Sequence, residues 1–179
     1  KTVDESLKYL KSSTLDNNNN LWIASTGGLL KINLSNNKTE TFKPRATSGK
    51  SGFDNIINDV CYNPAYPGKI WCATWGGGFK VLDEKTKTFQ SYFAEDTLLP
   101  QNIYNIIHRI LKVEGDEIML STTAGIKTFD CAKRTFRDIQ LKKEDGSIIP
   151  IINGYKVLSD SSVIIYNFEG WGKKVRQHF

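Results

Sequence analysis

The chain has 179 residues, 39% of them hydrophobic and 24% charged, with 14 Gly, 5 Pro, 3 Cys and 4 Trp. This composition excludes long disorder and a collagen-like chain, and a domain of this length buries roughly 70% of the surface its unfolded chain exposes. The net charge of +5 is spread along the chain with no block of one sign, which argues against nucleic acid as a partner.

In chain order, the first segment, KTVDESLKYL, has no signal-peptide core, and no apolar run approaches the ~18 residues of a membrane span. Direct membrane contact is not expected. The chain starts at Lys1 and stops at VRQHF, which reads as a piece of something longer or a trimmed form. ESLKYLKSS suits an amphipathic helix as well as a strand. Beyond it the apolar runs are short, rich in Ile, Val, Thr and aromatic residues, and bounded by Gly, Asn, Asp or Pro, as strands are. QNIYNIIHRILK, near position 105, also has helical periodicity, but the repeat register assigns it to a strand.

That repeat organises the chain. LWIASTGGLLKINLSNNKTETF (21–42) and IWCATWGGGFKVLDEKTKTF (70–89) both read apolar-Trp-apolar-Ala-Ser/Thr, glycines, an apolar residue, Lys, a polar turn and a closing Phe. In IMLSTTAGIKTFDCAKRTF (118–136) Met119 takes the Trp place, and VIIYNFEGWGKKV (163–175) keeps the outline. The starts at 21, 70, 118 and 163 are 49, 48 and 45 apart. A short apolar stretch and a polar turn precede each of the later three, so a unit holds four short strands, the last ending on Phe42, Phe89 or Phe136. Strands joined by turns in this way form an antiparallel meander.

One four-stranded sheet cannot cover both of its faces, whereas radial stacking of successive sheets can. The expected fold is all-β, with four-stranded antiparallel β-propeller blades. One propeller or propeller fragment spans 1–179, with about four repeats at 7–42, 55–92, 102–139 and 154–179. Four blades make an incomplete ring. Gly27–Gly28, Gly76–Gly78 and Gly125 fall at the turn between second and third strands, where positive φ is needed. Trp22 and Trp71 are expected between neighbouring blades.

Cys61, Cys72 and Cys131 are odd in number and lack C-x-x-C spacing, and His108 and His178 lie far from any thiol pair, so neither a disulfide framework nor a zinc site is expected. Counting back from the turn at 63–69, Tyr62 pairs with Ile70 and Val60 with Cys72. Cys61 then points to the opposite side, and the two thiols should not bond. SGKSG (48–52) echoes a phosphate-binding loop, but Pro44 stands where the first glycine of that pattern belongs. Asp54, Asp59, Glu95 and Asp96 are the carboxylates near linkers that a glycoside hydrolase could use, and nothing selects them over solvated loop charges. No cofactor, metal site or catalytic residue is expected.

The string from Asp16 to Asn33, D-x-x-x-x-L-W-I-A-S-T-G-G-L-L-K-I-N, resembles the two-component regulator propeller repeat, as does IWCATWGGGFKVLD. LLPQNIYNII (98–107) is similar to that family's inter-blade linker. Ala24 and Ala73 replace a common Gly, Asn17–Asn20 lacks the turn glycine, and Met119 replaces Trp. The resemblance covers roughly residues 15 to 160. It implies a non-catalytic segment of the periplasmic, extracytoplasmic sensor region of a hybrid two-component histidine kinase. It further implies an oligosaccharide ligand, and self-association or the remaining blades as partners. The chain itself holds no kinase motifs.

Trp75 in T-W-G-G-G and Trp171 in E-G-W-G fall in the turn between second and third strands, on the face shared with the inter-blade loops. They are the candidate ligand-binding residues, since an exposed Trp beside polar groups stacks on sugar rings or anchors a partner. A propeller glycoside hydrolase fragment is the alternative, because NPAYPGKIWCATWGGGF resembles propeller glycosidases, but VLDEKTKTFQSY lacks the Asp-box that usually follows. A generic propeller interaction module is the third reading.

Overall fold

A computed structural model describes residues 9–44, 56–93, 105–123 and 125–139, together with the backbone of three later strands. The first blade holds β1 (Leu10–Leu15), β2 (Asn20–Ser25), β3 (Gly28–Asn33) and β4 (Thr39–Phe42). The second holds β5 (Ile57–Tyr62), β6 (Lys69–Thr74), β7 (Phe79–Asp83) and β8 (Thr88–Tyr92). The third holds β9 (Ile107–Glu114), β10 (Glu117–Thr122), β11 (Gly125–Asp130) and β12 (Thr135–Ile139). β13 (Gly154–Val157), β14 (Val163–Tyr166) and β15 (Lys174–Val175) form a fourth, three-stranded sheet.

Every sheet is an antiparallel meander in chain order. β5 lies alongside β1, β9 alongside β5, and β13 approaches β9. The first strand of each blade is therefore innermost and the blades form an arc, an all-β partial propeller. No helix occurs among the described residues, and none is long and apolar enough to cross a membrane. The ambiguous ESLKYLKSS contributes β1 from Leu10, and the segment near position 105 is the strand β9.

Trp22 and Trp71 occupy the third position of their second strands, opposite Thr14 and Cys61 respectively. Met119 has that position in β10. Since side chains alternate across a strand, the third and fifth residues of β2 and β6 face the following blade. Trp22, Ala24, Leu29 and Phe42 pack against Ile57, Val60, Ile70, Cys72 and Leu82 of the second blade. Trp71, Ala73 and Phe79 pack against Ile107, Ile118, Leu120 and Phe129 of the third. Truncating one of these tryptophans to Ala would cost about 3–5 kcal/mol. The thiols follow the expected register. Val60 lies opposite Cys72, Cys61 points into the other cluster, and all three cysteines are free and buried.

Two features that align by eye do not align in space. Leu30, Lys80 and Lys127 share one register, opposite Ile23, Cys72 and Leu120, whereas Lys31 lies one residue further, opposite Trp22. Lys31 therefore points toward the second blade, where its ammonium sits 5.1 Å from the Trp22 ring centroid and pairs with Glu84. Phe89 and Phe136 pair with Leu82 and Phe129, but Phe42 pairs with Leu29 and so matches Tyr92, which pairs with Phe79. In each case β3 or β4 differs by an odd number of residues from its counterparts, which moves the side chain to the other face.

The turns explain the small and polar residues of the repeat. Ser25, Thr74 and Thr122 each donate their hydroxyl to the carbonyl of Gly28, Gly78 and Gly125, at 2.8, 2.6 and 2.9 Å. Gly28 has φ +127° and Gly78 φ +76°, and a Cβ on either would lie 2.5 or 2.4 Å from the carbonyl oxygen of Phe42 or Tyr92. Only glycine lets the outer strand come that close. At the next turn, Asn33, Asp83 and Asp130 each accept two backbone N–H groups, and Asn37, Lys87 and Arg134 follow with φ near +60° (56°, 58° and 61°).

Candidate binding site

The inner strands share an irregularity at one end. Leu10 pairs with Ser25 and Ser12 with Ala24; Ile57 pairs with Thr74 and Asp59 with Ala73; Ile107 pairs with Thr122 and Arg109 with Ser121. Lys11, Asn58 and His108 are the extra residues, one β-bulge at this end of each inner strand, and β9 carries a second at Leu111. A bulge breaks the alternation and re-aims a side chain. These three stand at the end of the inner strands that also carries the turns with Thr26, Trp75 and Thr123. The N–H groups of those turn residues donate to the carbonyls of Tyr9, Ile56 and Ile106, the residues just before the inner strands.

The bulge residues bridge blades around the axis. Lys11 Nζ donates to Asn58 Oδ1 at 2.8 Å, and Asn58 Nδ2 donates to the carbonyl of Ile107 at 2.9 Å. One residue further on, Ser12 Oγ accepts from the N–H of Val60 at 3.1 Å, and Asp59 Oδ2, in the same register, accepts from the N–H of Ile110 at 2.9 Å. Asp59 Oδ1 accepts from the N–H of Val60 at 3.0 Å. Arg109 has this place in β9 and carries only donors.

Trp75 is 41% exposed, while Trp22 and Trp71 are buried. It forms a bridge with Ile106, and Gly76 and Gly78 donate to the carbonyl of Asn105, so the chain entering the third blade holds the turn of the second. The indole meets His108 edge-on with centroids 5.9 Å apart, and Lys11 Nζ lies 5.9 Å from the Trp75 centroid. His108 Nε2 is 3.1 Å from Thr123 Oγ1. Burial lowers the His108 pKa, which favours a neutral ring. Burial, and then the Arg109 charge, lower the Lys11 pKa. The result is a half-open aromatic platform with a cationic edge.

Of the sequence-derived candidates, Trp75 lies on this rim, and Trp171 lies outside the described residues. So do Asp54, Glu95 and Asp96 among the carboxylates, His178, and the SGKSG loop. Asp59 is buried, with both oxygens committed to backbone N–H groups that tie β5 to β9. It has a structural task rather than an exposed acid or base. Among the described residues, no group of three or more His, Cys, Asp or Glu could hold a metal. Lys11, Asn58 and His108 were not legible as a set, because bulges leave no mark in an apolar-polar pattern. The spacing from turn to strand could have found them only with the Ser25, Thr74 and Thr122 pairings in hand.

No protein-family profile matches the chain, and no curated protein matches it. Among solved structures, the chain is similar to the extracellular domain assigned to a hybrid two-component system, BT3049, of B. thetaiotaomicron. The TM-score is 0.72 at 22% identity, covering 100% of this chain and 26% of that one. A second such extracellular domain, BT4673 of the same organism, matches with a TM-score of 0.66 at 11% identity over 95% of this chain and 22% of that one. The computationally designed Ika4 protein matches with a TM-score of 0.57 at 12% identity, over 93% of this chain and 90% of that one. The chain therefore spans about a quarter of the length of the two extracellular domains, and it shares their fold.

Proposed function

We propose that the chain is a non-catalytic segment of the extracytoplasmic sensor region of a hybrid two-component histidine kinase, and that its rim binds an oligosaccharide. Exposed Trp75 carries this reading. It is the tryptophan of the described blades that packing does not absorb, exposed although its ring meets His108 edge-on. The resemblance of Asp16–Asn33 to two-component regulator propeller repeats and the fold shared with two such extracellular domains support the assignment and a periplasmic location. The test is a glycan panel titrated by calorimetry, with products followed by chromatography. Binding without product, lost in Trp75→Ala, is the expected outcome. Product formation by the purified chain contradicts it, and binding that Trp75→Ala leaves unchanged moves the site elsewhere.

The outer face of the first blade is apolar. Leu15, Leu21, Ile23, Leu30 and Ile32 line it and lie half-covered or open apart from Leu30. Their registers match Tyr62, Ile70, Cys72, Lys80 and Leu82, the face of the second blade that receives Trp22 and Phe42. We propose that a second copy covers this face when the chain is isolated. Sedimentation should show concentration-dependent association that Ile23→Lys abolishes. A monomer at every concentration contradicts it.

A further inference from the structure

One residue of the rim both touches the Trp75 indole and can change its charge near neutral pH. His108 stands out of the β9 ladder at its bulge, and two turns hold its side chain. The ring meets Trp75 edge-on with centroids 5.9 Å apart, and Nε2 lies 3.1 Å from Thr123 Oγ1. The residues just before it fix the same two turns. Ile106 bridges to Trp75 and accepts from the N–H of Thr123, while Asn105 accepts from Gly76 and Gly78. None of the charged groups on the surrounding elements pairs with the ring. Lys11 of β1 donates to Asn58, and Asp59 of β5 accepts from the N–H groups of Val60 and Ile110. Arg109 has the register of Asp59, which turns to the next blade, and Lys127 of β11 pairs with Asp138. Among the described residues no carboxylate meets the imidazole to favour its charged form.

We propose that His108 is a positioning residue that makes the rim sensitive to pH: a sugar stacks on Trp75 while the imidazole is neutral and leaves when the imidazole gains a proton. The two rings adjoin, so a sugar on the indole also covers the half-buried imidazole and takes water from it. A neutral ring loses little by this, whereas an imidazolium loses the solvation that offsets its charge. Protonation also makes both ring nitrogens donors, so Nε2 can then only donate to Thr123 Oγ1. Sugar and proton therefore compete, and each weakens the other by the same factor. Burial already lowers the His108 pKa, which puts the exchange below 6.5. The bulge creates the arrangement, because it re-aims residue 108 out of the alternation of β9 and toward the turns.

The inference rests on the oligosaccharide reading, and its test separates the two. The probes are cellotriose, maltotriose and galactotriose, neutral sugars whose own charge does not change with pH. Calorimetry titrates each at about pH 8 and about pH 5, the range in which a histidine changes charge, with circular dichroism confirming the fold at both. The sugar bound most tightly at the higher pH should bind several-fold more weakly at the lower one. Each pH unit below the folded-state value of His108 should cost up to about tenfold. Binding near that value should also release protons, seen as a heat that varies with the ionisation heat of the buffer. His108→Gln should bind with one affinity at both pH values. Binding that needs Trp75 and is equal at both pH values overturns the proposal and leaves the oligosaccharide reading standing. A pH dependence that survives in His108→Gln puts the proton elsewhere and overturns it too. If that variant does not fold, the buffer dependence of the unchanged chain decides, and binding without proton release overturns the proposal. No binding by any of the three sugars overturns both readings.

Discussion

The indole nitrogen of Trp22 donates to Oδ2 of Asp16 at 2.8 Å, whereas the indole nitrogen of Trp71, in the same register of the next blade, has no hydrogen-bond partner among the described residues. Asp16 is buried and also accepts from the N–H groups of Asn18 and Asn20 and from the Asn20 side chain, which closes the first polar turn around one carboxylate. In the second blade Asn63 stands in that place and turns away, donating to the carbonyl of Gly115 in the third blade. Tyr66 then fills the space, edge-on to Trp71 and hydrogen-bonded to Asp116.

Two equivalent tryptophans should therefore respond differently to the same change. Trp22→Phe removes a charge-assisted hydrogen bond and leaves a buried carboxylate short of a donor, whereas Trp71→Phe removes an N–H with no partner among the described residues. Both lose some packing volume. Urea unfolding should find Trp22→Phe the more costly by about 1–3 kcal/mol. Equal losses would mean that the Asp16 contact contributes nothing net.

The glycines give a second graded comparison. Gly78→Ala puts a Cβ 2.4 Å from the Tyr92 carbonyl at a positive φ, and the backbone on both sides of the blade must move. Gly68 also has a positive φ, +76°, but a Cβ there meets nothing within 4 Å. Gly68→Ala should cost about 1–2 kcal/mol, the strain of the left-handed conformation alone, and Gly78→Ala distinctly more. Thermal melts of the two variants test this directly. A Gly78→Ala protein as stable as Gly68→Ala would place the outer strand further away than found.

Stability should fall with pH in two stages. Burial lowers the His108 pKa below 6.5, so just below that value the unfolded chain holds a proton that the folded chain does not. Its contribution is present above 6.5 and is lost as pH falls through that window. For Asp16, burial raises the carboxyl pKa, but the hydrogen bonds from Trp22, Asn20 and Asn18 lower it by more, to below 3.8. That contribution is present above 3.8 and disappears as the pH drops through the folded-state value. His108→Gln should flatten the first stage and Asp16→Asn the second, read from unfolding free energies across pH. A profile unchanged by either substitution contradicts the assignment.

The four short strands of each of the first three blades, the inter-blade tryptophans and the opposed faces of Cys61 and Cys72 were all legible in the sequence, because each depends on alternation and turn chemistry that local residues dictate. Lys31 and Phe42 misled alignment by eye, since a one-residue or three-residue offset is invisible in a motif and decisive in a strand. The rim was only partly legible. Trp75 stood out by residue type, but Lys11, Asn58 and His108 come together through bulges and through packing between residues some fifty positions apart, which no local pattern carries. Asp59 looked like a loop carboxylate and is a bracket between two inner strands.

The most direct test of the rim as the ligand site uses the indole N–H signals of the 4 tryptophans in a nitrogen-15 labelled sample. Trp75→Phe, Trp22→Phe and Trp71→Phe assign the three described signals. Titration with the glycan that binds most tightly by calorimetry should then shift the Trp75 indole progressively and leave the buried Trp22 and Trp71 signals in place. Shifts at Trp22 and Trp71 with a stationary Trp75 would contradict the account and put the ligand between blades or on another face.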